Sequence, residues 1–301
     1  MSLPALRLGS RGSALARSQA EWAAERLPGP VALVWIRTEG DEKRGMPLKE
    51  IGGTGVFTAA LHRALLEDRV DAAVHSMKDL PVVEEAGIAL AAVPVREDPR
   101  DCLVSRDGAP LAGLARGARI ATGSPRRAAE VLRARPDTTI VAVRGNVDTR
   151  LGKLRAGECD AIVLALAGLR RLGRDEEATE VFEPETMLPA PAQGALAITI
   201  RAGDAHAEAR VRPIVDVRSS AAVSAERAAL HGLGAGCHAP VGALAVVEDG
   251  RLRLRVRILS LDGKQVFEEE VEGAMSRAEE IGARAADGLL ARGAGPLVAV
   301  T

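Results

Sequence analysis

The stretch ARIATGSPRRAAEVLRARPDTTIVAVRGN, from Ala118 to Asn146, contains two short apolar runs separated by a helical pattern. ARIATGS and TTIVAVRGN are typical of buried strands, and PRRAAEVLRAR between them is typical of a helix. A strand, a helix of about ten residues and a second strand form a βαβ unit, in which the two strands are parallel. The stretch therefore predicts an α/β fold with a mainly parallel sheet.

The same alternation recurs through the first two-thirds of the chain, and its strands are apolar throughout, as expected when helices cover both faces of a sheet. From Val241 onward, polar and apolar residues alternate and the turn signals EDG and LDG appear, which predicts an antiparallel meander. The helical segment SRAEEIGARAADGLLARG completes a small α+β domain. We expect one face of the meander to be solvated because four arginines alternate along it, Arg251, Arg253, Arg255 and Arg257.

Composition excludes several classes of protein. The chain has 301 residues, of which 47% are hydrophobic and 27% charged, as expected of a soluble globular protein with two or three domains. A net charge of −1 and an aromatic content of 2% argue against a nucleic-acid partner. The N-terminal residues lack the apolar core of a signal peptide, and no apolar run could cross a bilayer. We therefore expect a cytoplasmic protein without a membrane partner.

The three cysteines are widely spaced and form no CxxC pair, so neither a disulfide framework nor a metal site is expected. Cys102 and Cys159 lie at strand edges, where they are expected to pack. Cys237 lies in the glycine-rich loop LGAGCHAPVGA, where a thiol near cationic residues could ionise and attack. The adjacent His238 is a poor candidate base, because neighbouring side chains in an extended loop point apart.

Basic and small polar residues collect at the turns that follow predicted strands. In an open α/β sheet, ligands bind at the carboxyl ends of the strands, beside the N-termini of helices. The turns with this pattern are GSRGS (9–13), HSMKD (75–79), TGSPRR (122–127), VRGNVDTR (143–150) and AGLRR (167–171). Several cationic turns at the same sheet edges favour an anion-binding site over isolated structural ion pairs.

The third of these turns begins the predicted helix. Ser124 is a preferred N-cap residue and Pro125 a preferred first helical residue, which places Arg126 and Arg127 in the first turn. A cation at this end of a helix interacts unfavourably with the helix macrodipole, which costs about 0.3–1 kcal/mol for each arginine. An anion bound between the arginines and the free backbone N–H groups would offset that cost.

The fourth turn repeats the pattern, with Asn146 as the expected cap, Arg144 before it, and Arg150 and Lys153 inside the helix. The phosphate loops GxxxxGK[ST] and GxGxxG are both missing from the sequence. The predicted ligand is therefore a polyanion rich in carboxylates.

The segment AVHSMKDLP supplies an acid. Asp79 follows an apolar strand and precedes a proline-bearing turn, so we expect its carboxylate to project into a cleft between two α/β lobes. Burial would raise the pKa of Asp79 and nearby arginines would lower it. An N-cap role or a salt bridge to Lys78 is the alternative. His75 is expected to be packed or hydrogen-bonded rather than to act as a base.

Six motifs, in this order and spacing, resemble the signatures of the hydroxymethylbilane synthase family, also called the porphobilinogen deaminase family. They are HSMKDLP, REDPRD, RGNVDTRLGKL, AIVLALAGLRRLG, LPAPAQGA and LGAGCHAPVGA. The resemblance runs from RLGSRGS to the last helix. It implies two doubly wound α/β lobes like those of periplasmic binding proteins and a small C-terminal α+β domain with an antiparallel sheet.

The resemblance also implies a division into three domains. Domain 1 would comprise residues 1–96 and 193–214, with the catalytic aspartate and a mobile loop. Domain 2 would comprise residues 97–192, with the arginines that bind carboxylates. Domain 3 would comprise residues 215–301, with the cysteine loop.

The implied reaction is the stepwise condensation of four porphobilinogen molecules by a monomeric enzyme, with loss of ammonia each time, followed by hydrolytic release of hydroxymethylbilane. A dipyrromethane cofactor, attached to Cys237 through a thioether, would start the chain. Asp79 matches the catalytic aspartate of the family and would also contact the cofactor. Further cofactor contacts are implied for Lys78, Ser124, Arg126, Arg127 and Arg144. Substrate contacts are implied for Arg11, Ser13, Arg144, Arg150, Arg171 and Gln193.

The chain departs from the family pattern at two places. Bacterial relatives commonly carry lysine where this chain has Glu50 and Thr54, in the segment that corresponds to the mobile loop. No substrate-binding lysine is therefore assigned there. Gly123 stands where serine is usual, which removes one possible hydroxyl contact.

Two other functions fit parts of the sequence. A non-enzymatic binder of a small anion would explain the arginines but not Cys237. A cysteine hydrolase would need an oriented histidine, and none of the five histidines has an obvious claim to that role.

Overall fold

The computed structural model describes residues 4–37, 56–83, 85–236 and 239–299. Within these residues the chain forms two five-stranded mixed sheets and one three-stranded antiparallel sheet. Contacts divide the chain into two compact units, Met1–Arg96 with Ala195–Ser220, and Glu97–Gly194 with Ala221–Thr301. Each of the two units contains one of the mixed sheets.

The sheet of the first unit has the strand order β2-β1-β3-β10-β4. Its strands are β1 (Leu6–Arg11), β2 (Val31–Ile36), β3 (Ala72–Ser76), β4 (Ile88–Ala92) and β10 (Leu196–Arg201). β1 is parallel to β2 and β3, whereas β10 is antiparallel to β3 and β4. The helices of this unit include α1 (Ala14–Ala24), α2 (Val56–Leu66) and α6 (Ala205–Val211).

Apolar clusters cover both faces of this sheet. Ala72 and Val74 of β3 belong to the cluster that includes Ala20 of α1. Ala73, which points the other way, belongs to the cluster that includes Leu61 of α2. Successive residues of a strand face opposite sides, so this division explains why the strands are apolar throughout.

The sheet of the second unit has the strand order β7-β6-β8-β5-β9. Its strands are β5 (Asp101–Ser105), β6 (Arg119–Ala121), β7 (Thr139–Val141), β8 (Ala161–Ala165) and β9 (Glu180–Val181). β6 is parallel to β7 and β8, whereas β5 is antiparallel to β8 and β9. The helices α3 (Pro125–Ala134), α4 (Val147–Arg155) and α5 (Leu166–Arg171) follow β6, β7 and β8 in turn.

This second sheet has two edges that matter for function. The carboxyl edge is where β6, β7 and β8 end and their helices begin. The amino edge is where β6 and β8 begin. Because β5 runs antiparallel to β8, its first residue, Asp101, pairs with Ala165 at the carboxyl edge, and Ser105 pairs with Ala161 at the amino edge.

The C-terminal part of the second unit is a three-stranded antiparallel sheet covered by helices. Its elements are α7 (Val217–Gly232), of which residues 221–232 belong to this unit, β11 (Val241–Glu248), β12 (Arg251–Leu259), β13 (Val266–Ala274), α8 (Ala278–Ala291) and α9 (Gly295–Val298). The core between sheet and helices is rich in alanine, with Leu252, Leu254 and Ile258 of β12 fully buried. The antiparallel meander expected from the sequence is confirmed.

The structure also confirms the two doubly covered α/β sheets, with two differences in detail. Each sheet is mixed rather than parallel, because β5 and β10 run against their neighbours. The segment AGLRR, predicted to be a turn, lies within α5, since the apolar run that forms β8 stops at Ala165. Leucine and alanine favour a helix once the strand has ended.

The solvated arginine face predicted for the meander is wrong at one position. Arg251 and Arg253 are exposed, but Arg257 is only 4% exposed. Its guanidinium pairs with Glu130 of α3 at 2.9 Å and with Glu268 of β13 at 2.5 Å. Burial without such partners would be costly, so the two carboxylates account for the position of the charge. No helix among the described residues is both long and apolar enough to cross a membrane.

Candidate functional site

Two predicted residues of the first unit, Arg11 and Ser13, lie at and just after the end of β1. Arg11 is the last residue of the strand and is half-buried, as is Ser13 two residues later. Ser13 is the N-cap of α1, because its side-chain oxygen accepts a hydrogen bond from the backbone N–H of Ala16 at 3.4 Å. The hydroxyl therefore stabilises the helix start beside the strand end, and its substrate contact stays a prediction.

Asp79 lies at the end of a short 3₁₀ helix, Met77–Asp79, that directly follows β3. Met77 is fully buried, and its backbone N–H donates to the carbonyl of Ala195 at 3.0 Å. Lys78 is half-buried and Asp79 is exposed. A buried strand thus anchors a turn that exposes one carboxylate to solvent, and the catalytic role of Asp79 stays a prediction.

His75 is buried in the middle of the same unit. Its Nε2 lies 2.9 Å from the hydroxyl of Thr199 on β10. Burial and, to a smaller extent, the charge of His62 lower the pKa of His75 to about 3. The expectation that His75 is a packed, hydrogen-bonded histidine and not a base is confirmed.

The predicted start of α3 is confirmed in the second unit. Ser124 is the N-cap, with its hydroxyl accepting from the backbone N–H of Arg127 at 3.4 Å, and Pro125 is the first helical residue. The side chains of Arg126 and Arg127 are 4% and 8% exposed, so both cations are buried at the carboxyl edge.

A carboxylate that the sequence analysis missed compensates these two cations. Asp101 is fully buried, with Oδ2 at 2.7 Å from Arg126 Nη2 and Oδ1 at 2.7 Å from Arg127 Nη2. Burial raises the pKa of Asp101, but the charges of the two arginines outweigh it and lower the pKa to about 2. The signal was present in the motif REDPRD, where an aspartate begins an apolar run.

Gln193 belongs to the same cluster. It is fully buried, and its Nε2 donates to Asp101 Oδ1 at 2.8 Å and to the carbonyl of Pro99 at 2.7 Å. Its Oε1 accepts from Arg127 Nη2 at 3.3 Å. These bonds hold the carboxylate and an arginine in place, and the substrate contact inferred for Gln193 stays a prediction.

The backbone on either side of Gln193 contacts two further predicted residues. Arg126 Nη1 donates to the carbonyl of Leu188 at 2.6 Å, and Arg171 Nη2 donates to the carbonyl of Gly194 at 2.6 Å. The segment 188–194 therefore accepts hydrogen bonds from arginines that come from two different helices, α3 and α5. This shared contact brings Arg126, Arg127 and Arg171 to one segment of the carboxyl edge.

Arg144, Arg150 and Arg171 complete the set of predicted arginines in this unit. Asn146 caps α4 as expected, accepting from the backbone N–H of Thr149 at 2.9 Å, and Arg150 Nε donates to the carbonyl of Gly145 at 2.8 Å. Arg144, just before the cap, is exposed, whereas Arg150 and Arg171 are half-buried.

Burial acts strongly on two of these arginines. It lowers the pKa of Arg150 to about 10, with a further contribution from the charge of Arg127. It also lowers the pKa of Arg171 to about 10, although Glu97 acts in the opposite direction. A largely desolvated cation is a favourable position for an anion, because a bound carboxylate would offset the cost of burying the charge.

Gly123 explains one departure from the family pattern. A Cβ placed on this residue would lie 2.8 Å from the carbonyl oxygen of Val143. The ends of β6 and β7 therefore approach each other more closely than a serine would allow without a backbone shift.

Several residues singled out from the sequence lie outside the described residues. These are Cys237, His238, Glu50 and Thr54. Cys102 and Cys159 are buried, and burial raises the pKa of both thiols, to about 12 for Cys102, which confirms that they are packing residues. Among the described residues, no group of three or more His, Cys, Asp or Glu side chains could hold a metal ion.

Comparison with known proteins identifies the family. A family model described as the porphobilinogen deaminase dipyromethane cofactor binding domain matches residues 6–209, and one described as the porphobilinogen deaminase C-terminal domain matches residues 220–291. The porphobilinogen deaminase of Acidothermus cellulolyticus is 48% identical, over 99% of this chain and 92% of the relative. That of Thermobifida fusca is 46% identical, over 99% of this chain and 97% of the relative.

Solved structures of periplasmic binding proteins are less similar. An arginine-specific periplasmic binding protein of Salmonella typhimurium is 14% identical with a TM-score of 0.40, covering 72% of this chain and 94% of that chain. The sequence comparisons are much stronger, because the family models match most of the chain and the relatives span nearly all of it. The chain belongs to the porphobilinogen deaminase family.

Proposed function

We propose that this chain catalyses the stepwise condensation of four porphobilinogen molecules, releasing ammonia at each step, and that water then releases the linear tetrapyrrole as hydroxymethylbilane. Family membership supports the reaction, and one observation on this chain carries it. Buried and half-buried arginines collect at the carboxyl edge, and the pKa values of Arg150 and Arg171 are lowered to about 10 by burial. A ligand with many carboxylates is the natural complement of such a set.

The residues fit the dipyrromethane group that the family model names. Each pyrrole of that group bears an acetate and a propionate, so it brings two negative charges per ring. Arg126 Nε is buried without a hydrogen-bond partner among the described residues, as expected of a donor that awaits an acceptor. When bound through a thioether at Cys237, the group would supply the free pyrrole carbon to which the substrate is joined.

The arginines and their helix starts bind the pyrrole carboxylates. Arg126, Arg127 and Arg144 would hold the cofactor, with Lys78 and Ser124, and Arg150 and Arg171 would hold the substrate, with Arg11, Ser13 and Gln193. Each charge-assisted hydrogen bond contributes roughly 1.5–3 kcal/mol, so several arginines can retain a highly charged ligand through repeated cycles.

Asp79 stabilises the positive charge that develops during the reaction. Loss of ammonia from the aminomethyl group leaves a cation delocalised over the pyrrole ring and its nitrogen. The exposed carboxylate of Asp79 accepts the hydrogen bond of the pyrrole N–H and stabilises that cation. The same carboxylate assists removal of the proton that leaves the attacked ring carbon when the ring regains aromaticity.

The non-enzymatic anion binder is not favoured, because the relatives that match the whole chain are enzymes by name. The cytoplasmic location, the monomeric state and the three-domain division with its stated boundaries stay predictions from the sequence.

The proposal is tested by measuring ammonia released from porphobilinogen by the full chain and by Asp79→Asn. Loss of a positioned proton acceptor and charge partner should lower turnover by about 100-fold or more. Asp287→Asn, which changes an exposed aspartate of α8, should release ammonia at the wild-type rate. No ammonia from the wild-type protein would overturn the proposed function, and undiminished release from Asp79→Asn would remove Asp79 from the mechanism.

A further inference from the structure

One carboxylate serves both buried arginines at the start of α3. Asp101 Oδ1 accepts from Arg127 Nε at 3.0 Å and from Arg127 Nη2 at 2.7 Å, a two-pronged contact. Its other oxygen, Oδ2, lies 2.7 Å from Arg126 Nη2. The carboxylate is itself fully buried, so water cannot replace either contact.

The cluster around Asp101 keeps an excess positive charge. Two guanidinium groups share one carboxylate, and Gln193 adds a neutral hydrogen bond to Oδ1 at 2.8 Å. Arg126 Nε remains buried without a hydrogen-bond partner in the described part of the chain. The pairing with Asp101 therefore restrains the arginines without neutralising them.

We propose that Asp101 is a positioning residue that orients the guanidinium groups of Arg126 and Arg127 towards the carboxylates of the bound pyrrole chain. The inference rests on the proposed function, since it assigns the ligand of the two arginines. It adds a residue that contacts neither substrate nor cofactor and acts through the arginines.

Orientation matters here because arginine has many rotamers. A free guanidinium loses side-chain entropy when it binds a carboxylate, whereas one already held by Asp101 loses less. The position of Asp101 suits this role, because β5 begins at the carboxyl edge and its first residue pairs with Ala165, next to the start of α5. The carboxylate that restrains the two arginines is therefore held in place by the pairing of β5 with β8.

Asp101→Asn is the most direct test, because it keeps the shape and removes the charge. Whichever way the amide is turned, its NH₂ group faces an N–H donor of an arginine or of Gln193, so at least one restraint is lost. Because the substrate is joined to the pyrrole chain that Arg126 and Arg127 hold, we expect the porphobilinogen KM to rise about tenfold while kcat changes less than about threefold, as when binding is lost equally in ground and transition states. The fraction of purified protein that carries the two-pyrrole adduct, measured by intact mass, should also fall.

Asp160→Asn is the matched control. Asp160 also lies between two arginines of the second sheet, Arg106 and Arg119, but at the amino edge. We expect wild-type KM and a wild-type adduct fraction in this variant. A wild-type KM and adduct fraction in Asp101→Asn would overturn the inference.

A double variant separates orientation from general stability. If Asp101 acts through Arg126, Asp101→Asn should raise KM less in an Arg126→Gln background than in the wild-type background. An equal fold increase in KM in the two backgrounds would show that Asp101 does not act through Arg126. Melting temperatures measured alongside would show any loss of stability separately from these ligand-dependent effects.

The remaining outcomes are also decisive. If Asp101→Asn does not fold, Asp101→Glu keeps the charge but moves the carboxylate, and it should show the same rise in KM. If neither Asp101 variant folds while Asp160→Asn does, Asp101 belongs to the fold alone and the inference fails. Wild-type protein without turnover would instead refute the proposed function.

Discussion

The two edges of the second sheet each place one aspartate between two arginines, yet the two clusters differ in burial. At the carboxyl edge, Asp101 is fully buried between Arg126 and Arg127, whose side chains are 4% and 8% exposed. At the amino edge, the Asp160 side chain is 27% exposed, and Arg106 and Arg119 are 51% and 44% exposed. The same residue types therefore form two different kinds of site.

The difference shows what makes a charged cluster functional. Water screens the Asp160 cluster, so its members can be exchanged with little effect. The Asp101 cluster is buried away from water, so the stability of each charge depends on the other charges of the cluster and on any anion that binds there. Nearby Arg150 and Arg171 are also desolvated, whereas the amino edge has no comparable group among the arginines just described.

The largest expected difference between the edges is in stability. Asp101→Ala leaves two buried cations without their carboxylate, and it should lower the free energy of unfolding by about 3–5 kcal/mol. Asp160→Ala should lower it by about 1 kcal/mol or less. Urea unfolding at neutral pH measures both, and equal losses would show that burial does not distinguish the two clusters.

At acid pH, the Asp101 cluster should lose about 2 kcal/mol of stability. Because the pKa of Asp101 in the folded chain is lowered to about 2, its contribution is present above the unfolded pKa near 4 and is lost as the pH falls towards 2. The stability difference between wild type and Asp101→Asn should therefore shrink by that amount between pH 5 and pH 2. A constant difference over this range, in urea titrations at each pH, would contradict the lowered pKa.

Removing an arginine from the carboxyl edge should raise the porphobilinogen KM about tenfold more than removing one from the amino edge. Arg150→Gln removes a desolvated cation at the carboxyl edge and should raise the porphobilinogen KM by about tenfold or more, the loss of one charge-assisted hydrogen bond. Arg119→Gln at the amino edge should leave KM unchanged. Steady-state ammonia release measures both variants, and an unchanged KM in Arg150→Gln would argue against substrate binding there.

The smallest expected effect concerns the close approach at Gly123. Gly123→Ala places a Cβ 2.8 Å from the carbonyl oxygen of Val143, so it should destabilise the chain by about 1 kcal/mol. Gly152→Ala, in α4, adds a Cβ in open space and should stabilise the helix by roughly 0.5–1 kcal/mol. Thermal unfolding compares the two, and a stabilised Gly123→Ala would show that β6 and β7 can move apart freely.

Local features of this molecule follow from its sequence. The helix starts at Ser124 and Asn146 follow from capping chemistry, which depends on the next three residues alone. The covered sheets follow from strands that are apolar throughout. The location of the arginines at the carboxyl ends of the strands could be predicted because the turns that contain them directly follow apolar runs.

Features that depend on distant partners could not be predicted in this way. The direction of β5 and β10 depends on which strands they pair with, and an apolar run carries no such direction. Arg257 alternates like its neighbours along β12, and its burial depends on Glu268 of β13 and on Glu130, 127 residues earlier in the chain. Asp101 escaped notice for the same reason, because its partners come from a helix that begins well after β5 ends.

The proposed function requires that Cys237 hold an acidic pyrrole chain and that the carboxyl-edge arginines bind it. Intact-mass measurement of the purified full chain, before and after a small dose of porphobilinogen, tests it most directly. We predict an addition of two pyrrole units, then further additions of one pyrrole unit each, and an unmodified mass for Cys237→Ala. An unmodified mass in active, undegraded wild-type protein, or the same addition in Cys237→Ala, would contradict the claim.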